Sequence, residues 1–308
     1  MSELRSSLDD YLRLRRSLGY KLERAGELLD DFVVRMDSAG ERTVTTSRAL
    51  DWATLSSDAG ARWRAQRLGV VRGFTRYLLA FDSDTEVPPM GLLPSGRCRP
   101  APFIYSDADI AALMAAARGV GLPLRSATLE AVIGLLATTG LRVGEALRLD
   151  CHDVDLGHRA LSVRNSKQGR SRSVPLHPST VEALRAYSSR RSELARQPDS
   201  PSFFVSRRGT RLGAGNLREA FNQALDRAGL PPRVRNVGPR LGDFRHTFAV
   251  ATLLGWYREG ADVMAQLPLL STFMGHVSPA STYWYLSASP ELLAAAAARL
   301  DPTFGGLS

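Results

Sequence analysis

Residues 274–285 read Met-Gly-His-Val-Ser-Pro-Ala-Ser-Thr-Tyr-Trp-Tyr. The stretch places His276 nine residues before Tyr285, and its pattern predicts a short helical turn, a break at Pro279 and a second turn. A tyrosine phenol has a pKa of about 10 and is a poor nucleophile at neutral pH, so it attacks a phosphate only where cations surround the reacting atoms. The stretch therefore raises the question of which cations elsewhere in the chain accompany it.

The composition is that of a basic globular protein. Its 308 residues are 44% hydrophobic, which is enough to fill two cores at roughly 100 to 200 residues per domain. The chain has 40 Lys+Arg against 31 Asp+Glu, a net charge of +9 and a pI near 10.1. This balance predicts a polyanionic partner such as nucleic acid, with an anionic membrane surface as the weaker alternative.

Several kinds of site have no signature in the sequence. Cys98 and Cys151 are the two cysteines, and both are expected to be free thiols in a reducing cytosol. The histidines lack metal-ligand spacing, and neither a Cys-x-x-Cys pair nor a Gly-x-x-x-x-Gly-Lys loop occurs, so we expect no metal site, no ATP and no other cofactor. Without an apolar signal core or a run of about 18 apolar residues, the chain is predicted to be soluble and cytoplasmic.

The first domain, residues 1–86, is predicted to be helical, because apolar residues recur there at three- and four-residue spacing. A fourth helix is predicted from about 59 to 79, and three arginines share the side opposite its apolar arc. They are Arg62, Arg72 and Arg76. This arginine stripe is either a contact to DNA phosphates or an ordinary solvated face.

Residues 87–105 are rich in proline and glycine and cannot continue a helix or a central strand. We predict that they form the linker between two domains. Arg97 and Arg99 place positive charge where a strap around a DNA duplex needs it, although basic surface linkers also occur without such a function.

A second domain is predicted from Ser106, which begins a helix with a capping box. An apolar helix over 127–138 stops at Gly140, and Arg142 opens the next helix. Its guanidinium there lies beside free backbone N–H groups, a favourable place to hold phosphate, and Glu145 one turn later orients it. The plain alternative is an exposed arginine paired with a glutamate.

The sequence period changes to two on either side of residues 165–172, which predicts a β-hairpin with strands over 160–163 and 173–176. The tip of this hairpin carries Lys167, Arg170 and Arg172. Taken alone these are ordinary loop cations. Further on, the pattern predicts helices over 178–194 and 216–228, a short strand over 203–205, a basic loop that ends at Arg240, and a helix with Arg245 in its first turn.

Four motifs, taken in order, resemble the tyrosine recombinase (phage integrase) family. They are Thr-Gly-Leu-Arg-Val-Gly-Glu at 139–145, Ser166-Lys167, Asp-Phe-Arg-His-Thr-Phe at 243–248, and Met274-Gly275-His276 with Tyr285. The resemblance covers the second domain. It implies a mainly α fold with a small β-sheet, in which an N-terminal helical, SAM-like core-binding domain and a mixed α+β catalytic domain over 106–289 clamp double-stranded DNA.

The resemblance also implies a role for each motif residue. Arg142 and Arg245 bind the non-bridging oxygens of the scissile phosphate, and His276 donates a hydrogen bond to it. Lys167 protonates the leaving 5′ oxygen. Tyr285 attacks the phosphorus and leaves a 3′-phosphotyrosine link, so that neither ATP nor metal is needed.

In the family four protomers assemble on DNA, and each lends a C-terminal segment to its neighbour. Residues 290–308, which begin as an alanine-rich helix, suit that exchange, and the alternative is that this helix packs on its own domain. The resemblance thus implies a homo-tetramer on DNA, with other recombinase subunits as further candidate partners. The residues around Met274 and Tyr285 look more like recombinases carried on transposable elements than like chromosome-dimer resolvases.

One position departs from the family. Three residues before Arg245, where a histidine or less often a lysine is expected, the chain has Gly242, which supplies no donor, acceptor or proton. The first hypothesis is therefore a site-specific recombinase or integrase. The second is a catalytically weak or inactive DNA-binding subunit, and a third, less favoured, is a type IB topoisomerase. Because Tyr283 points about 200° away from Tyr285 on a helix, only one of the two faces the phosphate, and the spacing from His276 selects Tyr285.

Overall fold

The structure is a computed structural model that describes residues 2–55, 60–94, 102–164, 171–195, 200–231, 238–276, 292–294 and 297. The chain divides into two compact units, residues 1–99 and 100–308. Both are mainly helical and the second also has a small antiparallel sheet, so the predicted fold class is confirmed. Among the described helices, none combines the length and the apolar content that crossing a lipid bilayer requires.

The described part of the first unit holds four helices, as the apolar spacing predicts. They are α1 Glu3–Ser17, α2 Glu23–Ser38, α3 Thr46–Thr54 and α4 Ala61–Leu78. The side chains of Ser2 and Thr45 cap α1 and α3 by accepting a hydrogen bond from a backbone N–H three residues on. In the shared core, the ring of Tyr11 lies 5.5 Å from that of Phe74 and 5.4 Å from that of Tyr77.

Arg72 of α4 has a different position from the one expected for it. Its guanidinium donates hydrogen bonds to the carbonyl oxygens of Pro88, at 2.6 Å, and Pro89, at 2.8 Å. The start of the predicted linker is therefore packed on the first unit, and Arg72 fixes it there. Arg62 and Arg76 remain exposed, so the arginine stripe is reduced to these two.

The second unit is organised around α6, a helix that is buried along most of its length and contacts α5, α8 and α10. The described helices of this unit are α5 Asp107–Ala117, α6 Pro123–Thr139, α7 Val143–Arg148, α8 Pro178–Leu194, α9 Ala214–Arg227, α10 Phe244–Arg258 and α11 Val263–Met274. The capping box predicted at Ser106 is present, with Asp109 as its second member. Short 3-10 turns precede β1 and α10.

In the described part of the second unit, the sheet has three antiparallel strands in the order β1-β2-β3. They are β1 Val154–Asp155, β2 Ala160–Val163 and β3 Arg172–Pro175. β2 and β3 form the predicted hairpin, but β3 begins one residue early, at Arg172, which pairs with Val163. The strand predicted over 203–205 is not among the described strands, since Val205 forms only an isolated bridge with Arg211.

The far end of the predicted linker is packed on the second unit. The ring of Tyr105 stacks on Phe244 at 4.3 Å, its hydroxyl donates to the carbonyl of Arg240 at 3.0 Å, and its backbone N–H donates to Thr247 at 3.0 Å. These contacts fix the start of α10. Leu292, near the start of the predicted exchange segment, is buried in a cluster with side chains of α10 and α11, so this residue packs on its own domain.

Candidate active site

The turn between α6 and α7 places Arg142. Gly140 ends α6 with a φ of 59°, and a Cβ added there would lie 2.6 Å from the ring of Phe248, so the turn requires glycine. Arg142 is the N-cap residue of α7. Its Nη1 donates to Oε1 of Glu145 at 2.8 Å and its backbone N–H donates to Oε2 at 3.1 Å. Glu145 therefore orients Arg142, as the sequence predicts.

Arg245 is buried in the first turn of α10, with 7% of its surface exposed. Its Nη1 donates to the carbonyl of Gly140 at 2.8 Å, and its Nη2 donates to the carbonyl of Met274 at 2.7 Å. The guanidinium thus joins the end of α6 to the end of α11. These two backbone carbonyls hold the guanidinium in place.

The end of α11 places His276. Gly275 ends the helix with a φ of 64°, and the backbone N–H of His276 donates to the carbonyl of Ser271 at 2.9 Å, which is the Schellman pattern. The carbonyl of Gly275 accepts a hydrogen bond from Nη2 of Arg142 at 3.1 Å. Arg142 and Arg245 are therefore bound to consecutive carbonyls, and His276 is the next residue.

Arg172 lies inside this site and not on the hairpin tip where the sequence pattern places it, and its contact with DNA stays a prediction. Its Nη2 donates to Oε2 of Glu145 at 2.9 Å, and its Nε donates to the carbonyl of Phe273 at 2.8 Å. The cause is strand alternation: Arg172 is two residues before the buried Val174 and shares its inward face. In the sequence, the alternation of Arg172 with Val174 is the signal that could have predicted this inward orientation.

The pKa values of two groups in the site, Glu145 and His276, are strongly lowered. Burial by itself raises the pKa of the Glu145 carboxyl, but the hydrogen bonds and charge of Arg172, together with the hydrogen bonds of Arg142, lower it to about 2. Burial lowers the pKa of the His276 imidazole, and the positive charges of Arg245, Arg142 and Arg172 lower it further, to about 4. At neutral pH, Glu145 is a carboxylate and His276 a neutral imidazole.

Of the remaining predicted site residues, the structure describes Arg240 and Gly242, and the others lie outside the described residues. Arg240 forms a two-point ion pair with the buried Asp243, at 3.1 Å for both contacts, and its guanidinium is partly exposed. Gly242 lies in the turn before α10, and among the described residues no atom comes within 4 Å of a Cβ added there. Outside the described residues lie Lys167, Arg170, Arg97, Arg99 and Tyr285.

A cluster of potential metal ligands lies after α7. Ligand atoms of Asp150, His152 and Asp153 come within 4.8 Å of one another. Arg211 pairs with Asp150 and Arg164 with Asp153, so each carboxylate already has a cationic partner. The cluster is accounted for as an ion-pair network, and the expectation that the protein needs no metal stays a prediction.

The chain is similar to known proteins in sequence and in fold. The model of the phage integrase family matches residues 105–291. A putative integrase/recombinase of Sinorhizobium fredii is 42% identical over 307 residues, which cover 98% of each chain. In fold, the chain is similar to the Tn1549 transposon integrase in complex with transposon right end DNA, with a TM-score of 0.66, 16% identity and coverage of 98% and 99% of the two chains.

A second solved structure has the same fold. The chain is similar to a lambda integrase tetramer bound to a Holliday junction, with a TM-score of 0.60 and 18% identity over 92% of this chain and 76% of that one. The family match extends over more than half of the sequence and includes Arg142, Glu145, Arg172, Arg245 and His276. The chain therefore belongs to the phage integrase family of tyrosine recombinases.

Proposed function

We propose that the protein is a site-specific DNA recombinase or integrase that cuts and rejoins strands through a 3′-phosphotyrosine intermediate. The observation that carries the proposal is the convergence of Arg142 and Arg245 on the consecutive carbonyls of Met274 and Gly275, next to His276. Consecutive Cα atoms are about 3.8 Å apart. Both guanidiniums are therefore anchored at the same end of α11 beside His276, which supports their binding to one phosphate.

The chemistry follows from these charges. Arg142 and Arg245 neutralise the charge that develops on the phosphate oxygens in the transition state, and His276, as a neutral imidazole, donates one N–H. The phenol oxygen of Tyr285 forms a bond to phosphorus, its proton passes to solvent, and the bond to the 5′ oxygen breaks. Lys167 supplies the proton that this leaving oxygen takes up. A 5′ hydroxyl of another strand then reverses the reaction without ATP.

Strand exchange requires more than one active site on the DNA. The lambda integrase to which this chain is similar is a tetramer on a Holliday junction, and the Tn1549 integrase is a transposon protein. These likenesses support a homo-tetramer of this chain on double-stranded DNA and a role in transposition or integration. The net charge of +9 supports binding to the phosphate backbone.

The proposal is tested with a nicked DNA substrate that traps the covalent intermediate. Wild-type protein is expected to form an SDS-resistant protein–DNA adduct, and Tyr285→Phe is expected to form none, because phenylalanine lacks the attacking oxygen. Tyr283→Phe, two residues away, is the matched control and is expected to keep the adduct. An adduct that survives Tyr285→Phe, or that is lost only in Tyr283→Phe, contradicts the assignment.

Gly242 supports a second candidate, a catalytically weak subunit that acts beside a more active partner. The turn accepts a side chain, since an added Cβ meets no described atom within 4 Å and the backbone is not left-handed there. Gly242→His is expected to speed adduct formation, by up to the roughly 10²- to 10⁴-fold that general acid–base help provides. Gly242→Ala adds a Cβ without an imidazole and should leave the rate unchanged. An equal rate in Gly242→His argues that the glycine does not limit activity.

A further inference from the structure

The end of α11 is capped by three arginines. The last carbonyls of a helix lack donors within the helix and carry partial negative charge, so cations bind there. Three successive carbonyls accept hydrogen bonds from three different guanidiniums: Phe273 from Arg172 at 2.8 Å, Met274 from Arg245 at 2.7 Å, and Gly275 from Arg142 at 3.1 Å. Two of these arginines are assigned to the phosphate, and Arg172 is not.

A buried carboxylate links the same groups a second time. Glu145 is 3% exposed, and its two oxygens accept four hydrogen bonds. Two come from Arg142, and two from Nη1 and Nη2 of Arg172, at 3.3 and 2.9 Å. All three nitrogens of Arg172 are thus engaged with Glu145 or with α11, and 12% of its side chain is exposed, against 31% for Arg142. Arg172 faces the protein, whereas Arg142 is open to a ligand.

We propose that Arg172 is a positioning residue of the strand-transfer site, which ties β3 and Glu145 to the end of α11 so that Arg142 and His276 stay in place for the phosphate. This inference rests on the proposed function of that site. Because a misplacement of about 1 Å can cost roughly 10²-fold in rate, a residue with no contact to DNA can still control cleavage.

Gly275 makes room for Arg172 at the end of α11. A Cβ at this position would lie 2.7 Å from Nη1 of Arg172 and 2.9 Å from its Cζ. The φ of 64° also favours glycine. Position 275 therefore requires glycine for two reasons. The backbone is left-handed there, and the guanidinium of Arg172 occupies the space that a Cβ would need.

The test compares Arg172→Lys and Arg172→Gln with wild type on the nicked substrate. Lysine keeps the charge but cannot reach both oxygens of Glu145 and the carbonyl of Phe273 in one fork. Both variants are expected to form the adduct about 10- to 100-fold more slowly and to bind duplex DNA within about twofold of wild type. Arg211→Lys is the matched control, since Arg211 also joins a carboxylate, that of Asp150, to a backbone carbonyl, and its adduct rate should not change.

Two results of this comparison of variants overturn the proposal. One is a cleavage rate within about twofold of wild type in both Arg172 variants. The other is weaker DNA binding together with a decrease of about 1 in the slope of log K against log salt concentration. This decrease indicates that Arg172 contacts a phosphate directly. Thermal unfolding of each variant establishes that it is folded, and Arg172→Lys, which keeps the charge beside Glu145, serves if Arg172→Gln does not fold.

A second readout does not depend on DNA cleavage. The imidazole of His276 faces the charged groups of Arg245, Arg142 and Arg172 and the ring of His246. Its pKa is measured by NMR titration of protein that contains isotope-labelled histidine. Arg172→Gln is expected to raise the pKa of His276 from its depressed value, because one positive charge is removed. If wild type forms no adduct, the proposed function fails, and this titration still decides: an unchanged pKa of His276 overturns the positioning role.

Discussion

Arg245→Lys is expected to slow formation of the covalent adduct by roughly 10²- to 10³-fold, the usual effect of removing one fixed donor from a developing negative charge. The guanidinium binds the carbonyls of Gly140 and Met274, and in the proposed reaction it also binds the phosphate. A lysine ammonium is a single point of attachment and cannot do all three. The loss should appear in the rate constant for cleavage at saturating DNA.

Arg191→Lys is the matched control for this experiment. Arg191 is also buried, at 5% exposure, and also donates to a backbone carbonyl, that of Ser200 at 2.6 Å, but it lies in α8 and Ser200 is not a residue of the site. It is expected to lower stability without changing the cleavage rate of the folded protein. If Arg245→Lys cleaves as fast as Arg191→Lys, Arg245 has no role at the phosphate.

His276→Ala is expected to slow adduct formation by roughly 10²- to 10³-fold, because one fixed hydrogen-bond donor to the developing charge is lost. With Gly242 at the position of the other expected histidine, His276 is the imidazole that we assign to the phosphate. Its pKa of about 4 means that it is already neutral at pH 6 and donates one N–H without changing charge. Wild-type cleavage should therefore be independent of His276 protonation between pH 6 and 8.

The measurement is the single-turnover rate of adduct formation for wild type and His276→Ala across that pH range. The control is His158→Ala, since His158 is exposed in the turn between β1 and β2 and pairs with Asp155. A cleavage rate near that of wild type in His276→Ala contradicts the assignment. So does a step in the wild-type profile near the ordinary histidine pKa that disappears in this variant.

Most of the fold follows from local patterns. Apolar residues at three- and four-residue spacing predict α1 to α4, and the capping box at Ser106 predicts the start of α5. The pattern does not predict α11. Its residues are apolar on most sides and Pro268 lies inside it, so neither amphipathic spacing nor a proline-free run marks it, and Asp262 alone signals its start by capping two backbone N–H groups.

The candidate site is predictable where one short stretch sets a residue's surroundings. The sequence predicts Arg142 at a helix start with Glu145 beside it, because the two are three residues apart. The placement of Arg172 depends on packing between segments 101 residues apart, and only the alternation with Val174 hints at it. The carbonyls that hold Arg245 lie 105 and 29 residues away, and no local pattern connects them.

Tyr285 is expected to form a covalent bond with the 3′ phosphate of a cut DNA strand. Mass spectrometry of the adduct after protease and nuclease digestion tests it most directly. We predict that the peptide containing Tyr285 carries the nucleotide through its phenol oxygen, and that the released strand has a free 5′ hydroxyl. A nucleotide on Tyr283 or on another residue, or a link to a 5′ phosphate, contradicts the account.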